Sequence, residues 1–264
     1  MPKFAANLTM LFTEVDFLDR FAAASAAGFR GVEYLFPYAY PKEALAETLA
    51  NHGLTQVLHN LPAGDWTKGE RGVACLPGRE VEFREGVAAA VAYAEALGCK
   101  QLNCLVGVTP KGADEKSIRS TLVGNLRFAA KALEDAGVRL LVEPVNRYDI
   151  PGFYLSQSRQ TLDLFDEIGE DNLWLQYDVY HMQRSEGELA ATIESLLPRI
   201  AHVQIADNPG RNEPGTGEIN YDFLFRKLDE IGYAGWIGCE YKPRSATLEG
   251  LGWFAAKYNQ GLRQ

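Results

Sequence analysis

The chain has little of what marks proteins of membranes, nucleic acids or oxidising compartments. Its longest apolar runs fall well short of the roughly 18 residues that a membrane span needs. The N-terminal stretch MPKFAANLTMLFTEVDF is too weakly apolar to read as a secretory signal. Positive charge is also scarce: 26 Lys and Arg face 35 Asp and Glu, a net charge of -9. That balance opposes binding to DNA, RNA or an anionic membrane, all of which reward a basic surface. Only four cysteines occur, Cys75, Cys99, Cys104 and Cys239, without C-x-x-C spacing, so free thiols in a reducing cytoplasm are expected. A glycine-rich phosphate turn after the first apolar run is missing too, which removes the nucleotide fingerprint of open α/β sheets. No Pro/Gly/Ser-rich linker divides the 264 residues, and residues 1–264 read as a single domain.

What is present is an alternation. Eight short apolar runs recur: FAANLTM from Phe4, GVEYLF from Gly31, TQVLHNL from Thr55, QLNCLV from Gln101, RLLVEPV from Arg139, LWLQYDV from Leu173, IAHVQIA from Ile200 and GWIGCEY from Gly235. Each is followed by a stretch with helical spacing, and several of these stretches end on glycine, at Gly28, Gly53, Gly98, Gly137, Gly169 and Gly232. Eight such units predict an α/β fold, a single (β/α)8 TIM barrel. The longest connections, Pro62 to Arg79 and Asp207 to Tyr221, follow the third and seventh runs and therefore lie at the C-terminal face, where such barrels carry their sites.

Polar residues inside apolar strands are the anomalies that point to chemistry, because burying a charge is costly unless it is paired, metal-bound or reactive. The last four runs each carry one near the end: Glu143, Asp178, Gln204 and Glu240. Any one alone reads equally well as a solvated strand end. Side-chain alternation places all four inward together with Leu141, Gln176, His202 and Gly238, so that they converge on one rim. Three carboxylates and an amide oxygen form a hard donor set that suits Mg²⁺ or Mn²⁺ better than zinc.

His181 lies three residues beyond Asp178, and His59 occupies a comparable place after the third run; both are candidates to bind substrate, while a helix-capping loop histidine is an equal reading for His181. His202 reads as a hydrogen-bonded core histidine and His52 as a helix-end residue. Lys242, Arg71, Arg79 and Arg211 are the candidate cations for a substrate anion, though each arginine singly reads better as a surface residue. The glycine-containing segment EPGTGEINYDFLF suggests an anion loop but lacks a P-loop lysine, and Asn220 as a helix N-cap accounts for it.

The segments HNLPAGDW, GERGVACLPGREVEFR, EPVNRYDIPGF, QYDVYHMQR, HVQIADNPGRNEPGTGEINY and IGCEYKP together resemble the hydroxypyruvate isomerase family over essentially the whole chain. That family sits among the xylose-isomerase-like barrels and includes the closely similar 2-oxo-tetronate isomerases. The resemblance implies interconversion of hydroxypyruvate and 2-hydroxy-3-oxopropanoate (tartronate semialdehyde), with Glu143 and Glu240 as acid and base. It also implies a divalent metal, Mg or Mn, held by Glu143, Asp178, Gln204 and Glu240. Related sugar epimerases carry histidine where this chain has Gln204. Other readings are a four-carbon 2-oxo acid as substrate, a non-catalytic sugar-acid binder, and the zinc-dependent DNA-repair endonucleases that share the barrel and use several histidines. The expected partner is a small 2-oxo or hydroxy acid, and a homo-oligomer is compatible with the sequence.

Overall fold

The structure is a computed structural model that describes residues 2–257; position 1 and positions 258–264 of the expected 1–264 domain lie outside the described residues. All eight expected strands form: β1 (Lys3–Asn7), β2 (Gly31–Glu33), β3 (Thr55–Asn60), β4 (Gln101–Cys104), β5 (Arg139–Val142), β6 (Leu173–Asp178), β7 (Ile200–Ile205) and β8 (Trp236–Cys239). They are parallel and ordered β1 to β8, and the pairing of β1 with β8 closes them into a barrel. Around them lie α1 (Asp19–Ala26), α2 (Lys42–Asn51), α3 (Glu80–Leu97), α4 (Glu115–Asp135), α5 (Ser158–Ile168), α6 (Val179–Ser185), α7 (Leu189–Leu196), α8 (Tyr221–Glu230) and α9 (Gly252–Lys257). One departure from a simple alternation is that both α6 and α7 stand between β6 and β7.

Each helix is held by the face it buries. In α5 the buried Thr161, Leu164, Phe165 and Ile168 follow the 3.6-residue period and pack on the barrel wall. A fully buried Leu, Ile or Phe contributes about 1.5–3 kcal/mol. The ends follow the sequence signals: Asp114 caps α4 by accepting from the Ser117 N–H at 2.9 Å, and Gly98 closes α3 in the left-handed conformation.

The lumen is divided by polarity. Near its N-terminal end Ala5, Val57, Leu58, Leu141 and Ala201 form a small apolar cluster, separate from the main core, with Trp174 and Trp236 packed against it. Two or four residues further along the same strands, alternation brings polar side chains to the inner face: Asn7, Glu143, Gln176, Asp178 and Glu240, all buried. Apolar packing closes one end of the barrel and polar groups furnish the other.

Candidate active site

Glu143 and Glu240 directly follow β5 and β8, and Asp178 ends β6, so three rigid strand ends carry the three acids. All are at least 95% buried. The Asp178 carboxylate is divided between two tasks. Its Oδ1 caps α6, accepting from the N–H groups of Tyr180 at 2.7 Å and His181 at 3.2 Å, while Oδ2 has no hydrogen-bond partner. Glu143 accepts at Oε2 from Asn103 at 3.0 Å and turns Oε1 toward His181 Nε2, 3.8 Å away. One ligand atom each from Glu143, Asp178 and His181 lies within 4.8 Å of the others, a grouping that could hold a metal ion. The orphaned buried oxygen of Asp178, beside two further buried carboxylates, is what a divalent cation with oxygen ligands would satisfy, so the residues fit such an ion.

Arg211 supplies positive charge at this rim. Its guanidinium stands 3.5 Å from Glu240, 3.8 Å from Asp178 Oδ2 and 3.9 Å from Asp149, above the Tyr180 ring. The loop that delivers it is built around Asp207. That buried carboxylate accepts from the backbone N–H groups of Asn208, Gly215, Thr216, Gly217 and Ile219 at 2.9–3.1 Å. The glycine-containing segment is thus an anion cradle after all, and the anion is the chain's own Asp207. At Gly217 any Cβ would run into the Asn208 carbonyl. Asn220 caps α8 as expected, accepting from the Phe223 N–H at 3.1 Å. Arg211 itself has φ of 54°, a left-handed conformation costing a non-glycine residue on the order of 1–2 kcal/mol, and its carbonyl is fixed by the Lys242 N–H at 2.9 Å.

Burial dominates the acid–base behaviour. It pushes Glu143 well above the usual carboxylate range, with Glu240 and Asp178 adding like-charge repulsion. It pushes Glu240 up to about 8, against the opposing pull of Arg211. Asp178 is raised as well, again first by burial and against Arg211. His181 is held well below the ordinary imidazole range by burial and by the charges of Arg211 and Arg184.

A cavity of about 520 Å³ is lined by Glu143, Glu240, His181, Arg211, Arg71 and Lys242, which brings most of the expected residues together. Arg71 stacks on Trp66, 3.9 Å from the ring centre, and its Nη1 donates to the Trp66 and Glu70 carbonyls. Gln204 lies beneath the acids rather than free: its Nε2 donates to Glu33 at 2.8 Å, and its Oε1 accepts from Gln176 at 2.6 Å. One lone pair of that oxygen remains to offer a ligand.

Two candidates are elsewhere. His59 does not reach the mouth, because strand alternation turns it outward; its ring lies fully buried against Tyr38 and the Ala90 backbone, and Asn60 takes the place lining the cavity. Arg79 is committed to Glu70 and Glu82. Sequence reasoning missed Glu33, Asn103 and Asn146. Glu33 meets the same criterion as the rim acids, a carboxylate in an apolar run, but it lies in the second run, apart from the four consecutive runs that each carry a polar residue near the end. It receives His202 Nε2 at 2.7 Å, Gln204 at 2.8 Å and Asn7 at 3.1 Å. His202 is therefore the hydrogen-bonded core histidine expected, and a Cβ at Gly238 would run into the Glu33 carboxylate.

Residues 21–257 match the family described as xylose isomerase-like TIM barrel. Hydroxypyruvate isomerase of Escherichia coli (strain K12) is 58% identical over 253 residues, covering 96% of this chain and 98% of that one. A 2-oxo-tetronate isomerase of Cupriavidus necator is 47% identical over 253 residues, covering 96% and 97%. The crystal structure of a Brucella melitensis protein described as an AP endonuclease, family 2, superposes with a TM-score of 0.95 at 46% identity, covering 97% and 99%. With barrel, rim and relatives in agreement, this chain belongs to the xylose isomerase-like TIM barrels and, within them, to the hydroxypyruvate isomerase family.

Proposed function

We propose that this chain, as one domain over residues 1–264, is an aldose–ketose isomerase that interconverts hydroxypyruvate and tartronate semialdehyde. The observation that carries the reading is a pair of buried glutamates, Glu143 and Glu240, on one small cavity, both pushed up from the carboxylate range and Glu240 to about 8. A carboxyl group that titrates near neutral pH can take a proton and give it back, which an isomerisation demands. In the forward direction one glutamate removes a proton from the hydroxymethyl carbon, leaving an enediolate. A proton returned to the neighbouring carbon, and transfer of the hydroxyl proton between the two oxygens, completes the exchange without an external oxidant or reductant. Arg211, Arg71 and Lys242 bring positive charge to the cavity for the substrate carboxylate, and His181 faces its oxygens.

Glu143, Asp178 and Glu240, with the remaining lone pair of Gln204, would hold Mg²⁺ or Mn²⁺. When bound, such an ion stabilises negative charge on the substrate oxygens. Among the described residues no helix is long and apolar enough to cross a membrane, and the four cysteines are free and buried, which suits the cytoplasm. The nuclease named for the Brucella relative would require a histidine-rich zinc cluster. Here His59 faces outward and His202 is bound to Glu33, so among the described residues only His181 reaches the rim.

The relative from Cupriavidus favours a second reading, a four-carbon 2-oxo acid at the same centre. One extra hydroxymethyl group separates the substrates. Comparing kcat/KM of the Mg²⁺-loaded protein on the three- and four-carbon acids decides between them, with the three-carbon acid expected to lead. Turnover of neither acid would sink both readings.

A further inference from the structure

We propose that Asn146 is a positioning residue that locks His181 in the neutral tautomer with its hydrogen on Nε2. His181 then serves the isomerisation as a hydrogen-bond donor to a substrate oxygen and stays out of the cation's ligand set. The donor role rests on the isomerase reading; the lock itself does not.

The geometry decides which end of the Asn146 amide is oxygen. Asn146 is fully buried just beyond β5, and its Oδ1 accepts from the N–H groups of Tyr148 at 3.0 Å and Asp149 at 2.9 Å. Backbone N–H groups only donate, so the end that meets them must be the carbonyl. The amino end therefore faces His181 Nδ1, at 2.6 Å, and the Asn146 backbone N–H points at the same atom from 3.5 Å. Both neighbours of Nδ1 are donors, and an amide nitrogen cannot accept. Nδ1 must keep its lone pair, and the hydrogen of the neutral ring is left on Nε2.

Two consequences follow for the site. A ligating imidazole nitrogen needs a free lone pair, and metal-binding histidines donate their other N–H to a carbonyl or carboxylate. His181 has the opposite arrangement, so its place within 4.8 Å of Glu143 and Asp178 is that of a donor, not a ligand. Its Nε2 is 3.8 Å from Glu143 Oε1 and 3.7 Å from Asp178 Oδ2, too far for a strong hydrogen bond to either. The N–H is consequently available to an oxygen placed in the cavity.

The test uses the full chain labelled with ¹⁵N-histidine. Two-bond ¹H–¹⁵N correlation spectra report which nitrogen of each imidazole is protonated, and comparison with His181→Gln assigns the signal. The expected result is a protonated Nε2 and an unprotonated Nδ1 on His181, unchanged by Mg²⁺. A protonated Nδ1, or an Nε2 that loses its hydrogen when Mg²⁺ is added, overturns the proposal. Asn146→Asp keeps the size and the acceptor for Tyr148 and Asp149 but sets an acceptor opposite Nδ1. It should move the hydrogen to Nδ1 and lower kcat by about 10- to 100-fold with little change in KM. This loss should not multiply with that of His181→Gln. Full multiplication of the two losses, or wild-type kcat with the hydrogen moved, also overturns it. The spectra read the tautomer whether or not either acid turns over, so failure of the lock and failure of the isomerase reading are seen separately.

Discussion

Two sets of buried polar residues, one carried by β2 and β3 and the other by β5, β6 and β8, treat the same residue types in opposite ways. In the first set Glu33, on β2, is surrounded by donors from Asn7, His202 and Gln204, and His59, on β3, is sealed against the helix layer. In the second set Asp178 keeps an oxygen without a partner, Glu143 and Glu240 face a cavity, and His181 points an N–H toward it. A buried carboxylate with its lone pairs filled holds strands in register. One left unfilled has its proton affinity raised and its bonding capacity free for a ligand. The difference lies in the neighbours, not in the residue.

Removing one member from each set sharpens this contrast. In the second set, Glu240→Gln should lower kcat by about 10²- to 10⁴-fold while the melting temperature stays near that of the wild type. Steady-state kinetics and thermal melts on the same preparation check it. In the first set, Glu33→Ala strands three buried donors and should cost about 3–5 kcal/mol in a denaturant titration. A stability loss below 1 kcal/mol would mean that the Glu33 network is not what supports the lumen.

The histidines give a pH version of the comparison. Burial lowers His59 to about 3 from an ordinary 6.5, so between those values the unfolded chain binds more protons than the folded one. Stability from this group is complete above pH 6.5 and is lost as pH falls toward 3, by about 1.4 kcal/mol per unit inside the window. His59→Phe should flatten that slope in unfolding measured at pH 7, 5 and 4. Parallel slopes would show that His59 is not a buried neutral group.

The smallest effect concerns the unfilled oxygen of Asp178. Saturating Mg²⁺ or Mn²⁺ should stabilise the wild type by about 2–3 kcal/mol at a hundred times its Kd. Asp178→Asn should abolish the rise in melting temperature. An equal rise in both proteins would place the cation elsewhere.

How much of this was legible in the sequence differs from strand to strand. Apolar runs separated by helical spacing identified all eight strands, because burial on both faces leaves a local pattern of its own. Strand-end position singled out Glu143, Asp178, Gln204 and Glu240, and the connections after the third, sixth, seventh and eighth runs pointed to Arg71, His181, Arg211 and Lys242. The same reasoning placed His59 at the mouth, where it is not, because one step along a strand reverses the face and the parity of a strand end is not written in its composition. Asn146 was invisible: an asparagine in a loop gives no sign of which carbonyl, amide or ring it meets.

The sequence by itself therefore determined the eight-fold alternation and the set of polar residues carried to the strand ends, since both follow from local periodicity. Only closure of the barrel decided which of those residues would be satisfied and which left open. Glu33 and His202 are 169 positions apart and Asn146 and His181 are 35 apart; the first pair meets only when closure brings β2 and β7 together across the lumen, the second only when β5 and β6 stand side by side.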